Sequence, residues 1–410
     1  MCILTMPTKT RYGDSPWSFA FPDSRRPNYP RLRGSLQRDV VIIGAGLTGI
    51  ATAYACAMAG LNTTVLEANR LGSGSAGRSA GLLLPEPGPS FRVLQQAHGL
   101  RAARTVFETW RRASLDAAAL LRRLSIQCAL EPLESVTISR EEKTLRREFD
   151  TREAGGLDGR WLPAKSLRSS LLLDAAAGIK RADASGLDPY RACVGLSLAA
   201  RRRGVKFAEQ TPVRKVTFGR NGVDVVADGL VVKATTVIVT TGIATSEFKP
   251  LKRHFDRRER YLVLSEPVPA KIRKQLLPAG MTVRDAHTPS HRIRWTSDNR
   301  LLVAGADQAE TPPRNRPAVL VQRTGQLMYE LLTMYPAISG LRPEFGWDSA
   351  YGETADGLPY IGPHRNYPHH LFALGGSGDS VTGAFLAARI LARAVTGTAA
   401  RGDEVFGWTR

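Results

Sequence analysis

The residues whose types and spacing most directly imply chemistry lie between Gly44 and Glu67. Gly44-Ala45-Gly46-Leu47-Thr48-Gly49 is a GxGxxG run that follows a β-branched stretch ending at Ile43 and opens an apolar helical pattern; Glu67 ends the next β-rich stretch. In a strand, turn and helix of this kind the first glycine permits the tight turn. The second lets the backbone approach a pyrophosphate at the helix N-terminus, and the third allows close helix–strand packing. A carboxylate at Glu67 suits an adenosine ribose and disfavours a 2'-phosphate. The segment therefore points to NAD or FAD and away from NADP, a purely structural α/β turn being the other reading.

These residues need an element to hold them. Asp39 to Ile43 reads as a strand, Leu47 to Ala59 as a helix and Thr63 to Glu67 as a second strand, one βαβ unit. The stretch Val40 to Leu61 carries no charge and has the length of a membrane span, but its three glycines after a β-branched run suit a buried α/β core instead. Further on, Phe91 to Leu124 shows helical spacing of Val106, Trp110, Leu120, Leu121 and Leu124. An amphipathic helix from Tyr190 to Arg203 leads into four short β-rich runs, Val205–Glu209, Val213–Phe218, Val223–Ala227 and Val231–Thr240, predicted to return to the first sheet. Tyr261–Ser265, Arg292–Thr296 and Leu301–Ala304 suggest a second, more antiparallel sheet on the substrate side. A final strand, Leu371–Leu374, is followed by a Gly375–Gly378 turn and a helix from Val381 to Thr396. The first 35 residues, rich in Pro, Arg and Ser with Trp17, Phe19, Phe21 and Tyr29 among them, read as an extended arm packed on the surface.

A chain of 410 residues exceeds one hydrophobic core, and its 43% hydrophobic and 23% charged residues are those of a globular protein. Two domains sharing the sequence discontinuously are expected. The formal charge of +20 raises nucleic acid, anionic lipid or an acidic substrate as partners, with Arg201-Arg202-Arg203 and Lys252 to Arg260 the densest clusters. The arginines are spread along the chain without interleaved aromatics, which argues against nucleic acid and for a solvated arginine-rich surface; peripheral membrane contact stays open. Four scattered cysteines fit neither a disulfide framework nor metal spacing. His364, His369 and His370 lack accompanying ligands, His287 and His291 flank a loop, and no metal site is expected. No secretory signal is evident, so the cytoplasm is the expected location.

From Asp39 to Gly81 the chain resembles the amine-oxidising flavoproteins of the D-amino-acid oxidase superfamily, the group containing glycine oxidase, sarcosine oxidase and D-amino-acid dehydrogenase. The resemblance rests on the βαβ unit, Glu67-Ala68, and the run Gly72 to Gly81 containing Arg78-Ser79-Ala80-Gly81. It continues at Val213, at Thr240-Thr241-Gly242, at Asn299 to Leu302, and at Thr354 to Gly362. It ends with Gly375-Gly376-Ser377-Gly378-Asp379 and Ser380. It implies an α/β fold in which a Rossmann-like FAD-binding domain carries an inserted, mainly antiparallel α+β substrate domain. The division it implies is an arm (1–35), FAD-binding parts at 36–90, 175–255 and 345–410, and substrate parts at 91–174 and 256–344. The cofactor residues it implies are Gly44, Gly46, Leu47, Thr48, Gly49, Glu67, Ala68, Arg78, Ser79, Ala80, Gly81, Val213, Thr241, Gly242, Gly375, Gly376, Ser377, Gly378, Asp379 and Ser380.

Two departures qualify what is carried over. Where relatives acting on amino acids have an Arg-Pro before the Thr-x-Asp-Gly segment, this chain has Trp347 to Glu353, with Tyr351 in place of a carboxylate-gripping arginine. Arg292 or Arg294 would have to substitute. No histidine lies between Gly72 and Gly81 and no cysteine follows Cys193, so non-covalent FAD is implied. The general shape is most similar to the gamma-glutamylputrescine oxidase-like branch. Tyr261, His291, Arg294 and Tyr351 are the candidate substrate-side residues, placed there by strand position. The activity implied is C–N oxidation of an amine or amino acid by hydride transfer to the flavin, with O2, a quinone or a carrier as electron acceptor. An NAD-linked dehydrogenase, or a basic docking protein on a flavoprotein fold, remains as an alternative.

Overall fold

Strand Leu36–Ile43 sits at the centre of the first layer because both its faces are apolar: Val40, Val41 and Ile42 are fully buried. The computed structural model describes residues 9–286, 290–378 and 380–410. Among them the strands form two sheets, of eight and ten strands. In the smaller sheet Leu36–Ile43 pairs in parallel with Thr63–Leu66 on one side and Leu230–Gly242 on the other. Lys206–Ala208 and His370–Leu374 extend it outward, also in parallel. Val213–Gly219 and Gly222–Ala227 form an antiparallel meander that feeds Leu230–Gly242, as the β-rich runs imply.

Three helices cover one face. Leu47–Met58 lies against both Pro189–Arg202 and Ser380–Thr396. The small side chains Ala51, Ala53 and Cys56, all buried, allow it to be enclosed, which accounts for the uncharged stretch from Val40 to Leu61. Among the described residues no helix is long and apolar enough to cross a membrane.

The larger sheet is mainly antiparallel, with parallel pairing only where Arg11–Tyr12 meets Pro343–Glu353 and where Met281–Asp285 meets Glu131–Ser139. Alternation divides its strands. Tyr261, Val263, Val283, Ile293 and Val303 pack under helix Arg316–Met334 through Leu320, Leu327 and Leu331. Leu262, Leu264, Leu302 and Ala304 turn the other way and join the core of the helix layer, so the two sheets share one hydrophobic interior.

Two expectations require correction. The N-terminal arm is embedded rather than laid on the surface. Trp17, Phe21 and Tyr29 belong to the main core, Trp17 Nε1 donates to Ser79 O (2.9 Å), and Tyr29 OH donates to Ser197 Oγ (2.9 Å). Aromatic rings with a polar tip bury readily once that tip finds an acceptor. The boundaries at 175 and 345 also depart from sheet membership, because Ala177–Gly186 and Pro343–Glu353 both lie in the larger sheet. Ala177–Gly186, reading AGIKRADASG, has little β-branched character and is held as a strand by its pairing with Glu131–Ser139.

Candidate active site

A cavity of about 670 Å³ runs along the carboxyl ends of the parallel strands, within the ~300–1,000 Å³ usual for ligand and cofactor sites. Its first wall is the glycine turn. Gly44 has φ +105° and lies so close to Thr240 that a Cβ would meet Thr240 O at 3.0 Å. A Cβ on Gly49 would collide with Gly44 O and sit 2.7 Å from Thr240 Oγ1, whereas one on Gly46 would meet nothing within 4 Å. Gly49 is thus there for packing, while Gly46 leaves open a cradle that lines the cavity with Gly44, Leu47 and Thr48. Thr240 Oγ1 donates to Ile43 O (3.0 Å) and Gly44 O (3.1 Å), tying the turn to the neighbouring strand. Thr240, which is not among the expected cofactor contacts although it belongs to the Thr240-Thr241-Gly242 run, is a buried hydroxyl beside the glycine turn and fixes the geometry of that turn.

Glu67 is held at the next strand end by two amides: Ala45 N donates to Oε2 and Asn69 N to Oε1, each at 2.8 Å. It lines the cavity with Ala68 and with Val213, which begins the meander. The opposite end is formed by Thr241, Gly242 and the Gly375–Gly378 turn. Gly375, Gly376 and Gly378 all have positive φ, and Gly375 N and Gly376 N donate to Gly242 O and Gly352 O, each at 2.9 Å. The loop after Pro85 closes on this turn so tightly that a Cβ on Gly88 would collide with Ser377 Oγ. Helix Ser380–Thr396 begins just past it. Asp379 lies outside the described residues.

The Arg78 to Gly81 segment does not line the cavity among the described residues. Arg78 donates to Asp348 O (2.6 Å), Asp348 Oδ1 (3.0 Å) and Gly13 O (3.0 Å), and Ser79 O accepts from Trp17. Ala80 O accepts from Arg294 Nε (2.7 Å), and a Cβ on Gly81 would collide with Leu187 O. This segment braces the arm against the larger sheet.

Of the four substrate-side candidates, the structure brings only Tyr351 to the cavity. Arg294 is buried and spends its donors on Ala80 O, Trp295 O and Leu187 O; burial lowers its pKa to about 10. Tyr261 points to the Arg316–Met334 side of the sheet, where its hydroxyl donates to Glu259 Oε2 (2.8 Å) and burial pushes the phenol up to about 12. His291 is on that side too, with Nδ1 2.8 Å from Asp285 Oδ2 and Nε2 2.9 Å from Glu330 Oε2. Arg294 lies on the opposite face from Ile293 and Trp295 and is kept from the cavity by the carbonyls it serves, whereas Tyr261 and His291 are on the wrong face of the sheet. Side chains alternate across a strand, and a position near the site does not decide which face a residue takes.

Two residues not singled out in the sequence, Arg260 and Asp307, lie behind the Tyr351 wall without lining the cavity themselves. Tyr351 OH donates to Asp307 Oδ2 (2.7 Å), and Arg260 grips the same carboxylate through Nε (2.9 and 3.1 Å) and Nη2 (2.8 Å). A β-bulge makes this possible. Glu259 pairs with Gln308 but Tyr261 with Gly305, so Arg260 stands opposite two residues and Asp307 is turned to its face. Arg260 Nη2 also reaches Ser377 O (3.4 Å), and the Tyr351 ring packs against Gly378. Burial and the adjoining carboxylate drive the Tyr351 phenol far above its ordinary range, so it stays protonated.

Comparison with known proteins agrees with this architecture. The model for the family described as "DAO: FAD dependent oxidoreductase" matches residues 39–394. The chain is 24% identical over 381 residues to gamma-glutamylputrescine oxidoreductase of Escherichia coli, covering 92% of this chain and 87% of the relative. It is 26% identical over 353 residues to glycine oxidase of Bacillus licheniformis, covering 82% and 87%. The crystal structure of glycine oxidase from Geobacillus kaustophilus superposes with a TM-score of 0.75 at 19% identity, over 92% of this chain and 99% of that one. The chain belongs to the DAO family of FAD-dependent oxidoreductases.

Proposed function

We propose that this protein oxidises the C–N bond of an amine or amino acid to an imine that water then hydrolyses. The observation that carries this reading is the single cavity linking Glu67 and Gly46 at one end to the Gly375–Gly378 turn and Tyr351 at the other. The names of two relatives, gamma-glutamylputrescine oxidoreductase and glycine oxidase, support the substrate class. The residues fit FAD. Gly46, Gly242 and Gly376 leave open space where any side chain would intrude, and Glu67 sits where a ribose hydroxyl needs an acceptor. The adenosine half would be held by Gly44, Gly46, Leu47, Thr48, Glu67, Ala68 and Val213, and the flavin half by Thr241, Gly242 and Gly375 to Gly378, without a covalent bond. Bound FAD supplies the hydride acceptor at its N5 atom.

The chain's own residues supply positioning. Burial of the wall favours a neutral amine over its charged form, and Tyr351, anchored by Asp307, presents an ordered aromatic face toward the substrate. The start of helix Ser380–Thr396 places a positive dipole end beside the turn, favouring negative charge there.

The decisive experiment is a visible spectrum of the purified protein before and after acid precipitation, with chromatography of the supernatant, followed by an anaerobic screen of amines for bleaching. Released FAD and bleaching by an amine are the expected results. FAD that no amine or amino acid bleaches would overturn the proposed reaction.

A further inference from the structure

Beside the Glu67 end of the main cavity lies a second recess, of about 450 Å³, with Ala68, Asn69, Pro212 and Arg214 in the walls of both. Three exposed arginines from separate parts of the chain converge on it: Arg31 of the N-terminal arm, Arg70 after strand Thr63–Leu66, and Arg214 in strand Val213–Gly219. The backbone around them is stitched together. Leu32 N donates to Thr211 Oγ1 (3.1 Å), Thr211 N to Glu67 O (2.8 Å) and Gln210 N to Asn69 O (2.9 Å), and Thr211 is fully buried. The fold therefore holds three cationic side chains at one rim.

Their charge is uncompensated. Exposed arginines such as Arg112 and Arg257 have a carboxylate partner, Asp116 and Glu310. At this rim none of the three guanidiniums has a hydrogen bond or ion pair among the described residues. Arg70 lies in the field of Glu209, but that carboxylate accepts from the Leu71 amide (2.7 Å). Asp228, exposed, is the one carboxylate among the described residues lining the recess. Like charges gathered in this way repel one another, and an anion of two charges would relieve that repulsion while accepting paired guanidinium hydrogen bonds. The volume falls within the ~300–1,000 Å³ usual for small-molecule sites. The recess is also distinct from the glycine cradle, because Gly44, Gly46 and Leu47 line only the main cavity.

We propose that this recess is an anion site separate from that of the cofactor, and that Arg31, Arg70 and Arg214 hold in it a phosphate dianion, free or as the phosphomonoester of a small molecule.

The test is isothermal titration calorimetry of the FAD-loaded protein at low ionic strength in chloride-free buffer. The probes are inorganic phosphate, glycerol 2-phosphate and, at matched ionic strength, acetate. One saturable site for the dianions, at least about tenfold tighter than any for acetate, is expected. Arg31→Gln, Arg70→Gln and Arg214→Gln should each weaken it by at least about tenfold. Asp228→Asn should tighten it. A control carrying Arg122→Gln and Arg123→Gln, at the end of helix Phe91–Arg123 and outside both cavities, should leave it unchanged. Flavin absorbance and melting temperature verify that each variant is folded and loaded. Tighter binding of the ester assigns the site to a phosphorylated small molecule, and tighter binding of inorganic phosphate assigns it to the free ion. Absence of saturable binding, equal weakening in the control, or binding only with release of FAD overturns the proposal. Since the readout is binding and not turnover, none of these results bears on the amine reaction.

Discussion

Arg410 clasps Asp356 through two nitrogens, Nε to Oδ2 at 2.7 Å and Nη2 to Oδ1 at 3.1 Å, while its remaining donors reach Leu358 O, Pro359 O, Phe406 O and Gly407 O. Burial tends to raise the Asp356 carboxyl, but Arg410, the Leu358 amide and His98 outweigh it and hold the group below its ordinary value. A depressed carboxylate contributes stability that is present above its unfolded pKa and lost as pH falls through the folded one. Arg410→Ala should cost about 3 kcal/mol, since it removes the main ionic partner of a largely buried carboxylate and leaves it only His98 and the Leu358 amide. Thermal melts from neutral to acid pH should show the variant losing its deficit relative to the unmodified protein as pH falls, because the contribution it lacks is then lost by both.

The two glycines of the first turn should separate folding from cofactor binding. Gly46→Ala points its methyl into the cavity and should fold with near-normal stability but retain little FAD. Gly49→Ala drives a methyl into Gly44 O and Thr240, an overpacking usually worth about 1–3 kcal/mol, so it should lower the melting temperature of the apoprotein as well. Flavin content and apoprotein melting measured on both variants check this; equal melting losses would contradict it.

Much of this turn was legible in the sequence because its logic is local: strand, glycines, helix and Glu67 are fixed by spacing within one βαβ unit. The Tyr351, Asp307 and Arg260 cluster was not. It depends on a bulge between Glu259 and Tyr261, and a one-residue shift in register changes which side chains share a face. Strand Ala177–Gly186 was hidden for a related reason, since pairing partners rather than its own residue types make it a strand. The arm's aromatics were visible, but their acceptors, Ser79 O and Ser197 Oγ, lie 62 and 168 residues away.

His291 couples the end of strand Met281–Asp285 to helix Arg316–Met334 through Asp285 and Glu330. Its hydrogen bond to Asp285, aided by both carboxylates and opposed by burial, raises its pKa above the ordinary 6.5. A raised histidine contributes stability that is fully present below the unfolded pKa and lost as pH rises through the folded value. His291→Gln should therefore lower the melting temperature at mildly acid pH and converge with the unmodified protein at alkaline pH. A deficit that does not change with pH would show that the protonated form contributes nothing.

Trp17→Ala should reveal how deeply the arm belongs to the fold. Removing a buried tryptophan usually costs about 3–5 kcal/mol, and here it also strips Ser79 O of its donor. Calorimetry should show one weakened transition for the whole protein. A separate early transition of the arm, with the main one unchanged, would mean that the arm docks independently.

Arg294 offers the sharpest contrast between bracing and catalysis. Its guanidinium ties Ala80 O to Leu187 O, linking the segment after the first βαβ unit to the end of strand Ala177–Gly186. Arg294→Met keeps much of the side-chain volume but leaves those buried carbonyls without their donor, at about 1–3 kcal/mol for each unsatisfied group. The melting temperature should fall and flavin retention should weaken. In the fraction that stays folded and flavin-loaded, however, KM for a bleaching amine should be unchanged, because Arg294 lies outside the cavity. A rise in KM with melting unaltered would instead return Arg294 to the substrate and contradict its placement as a brace.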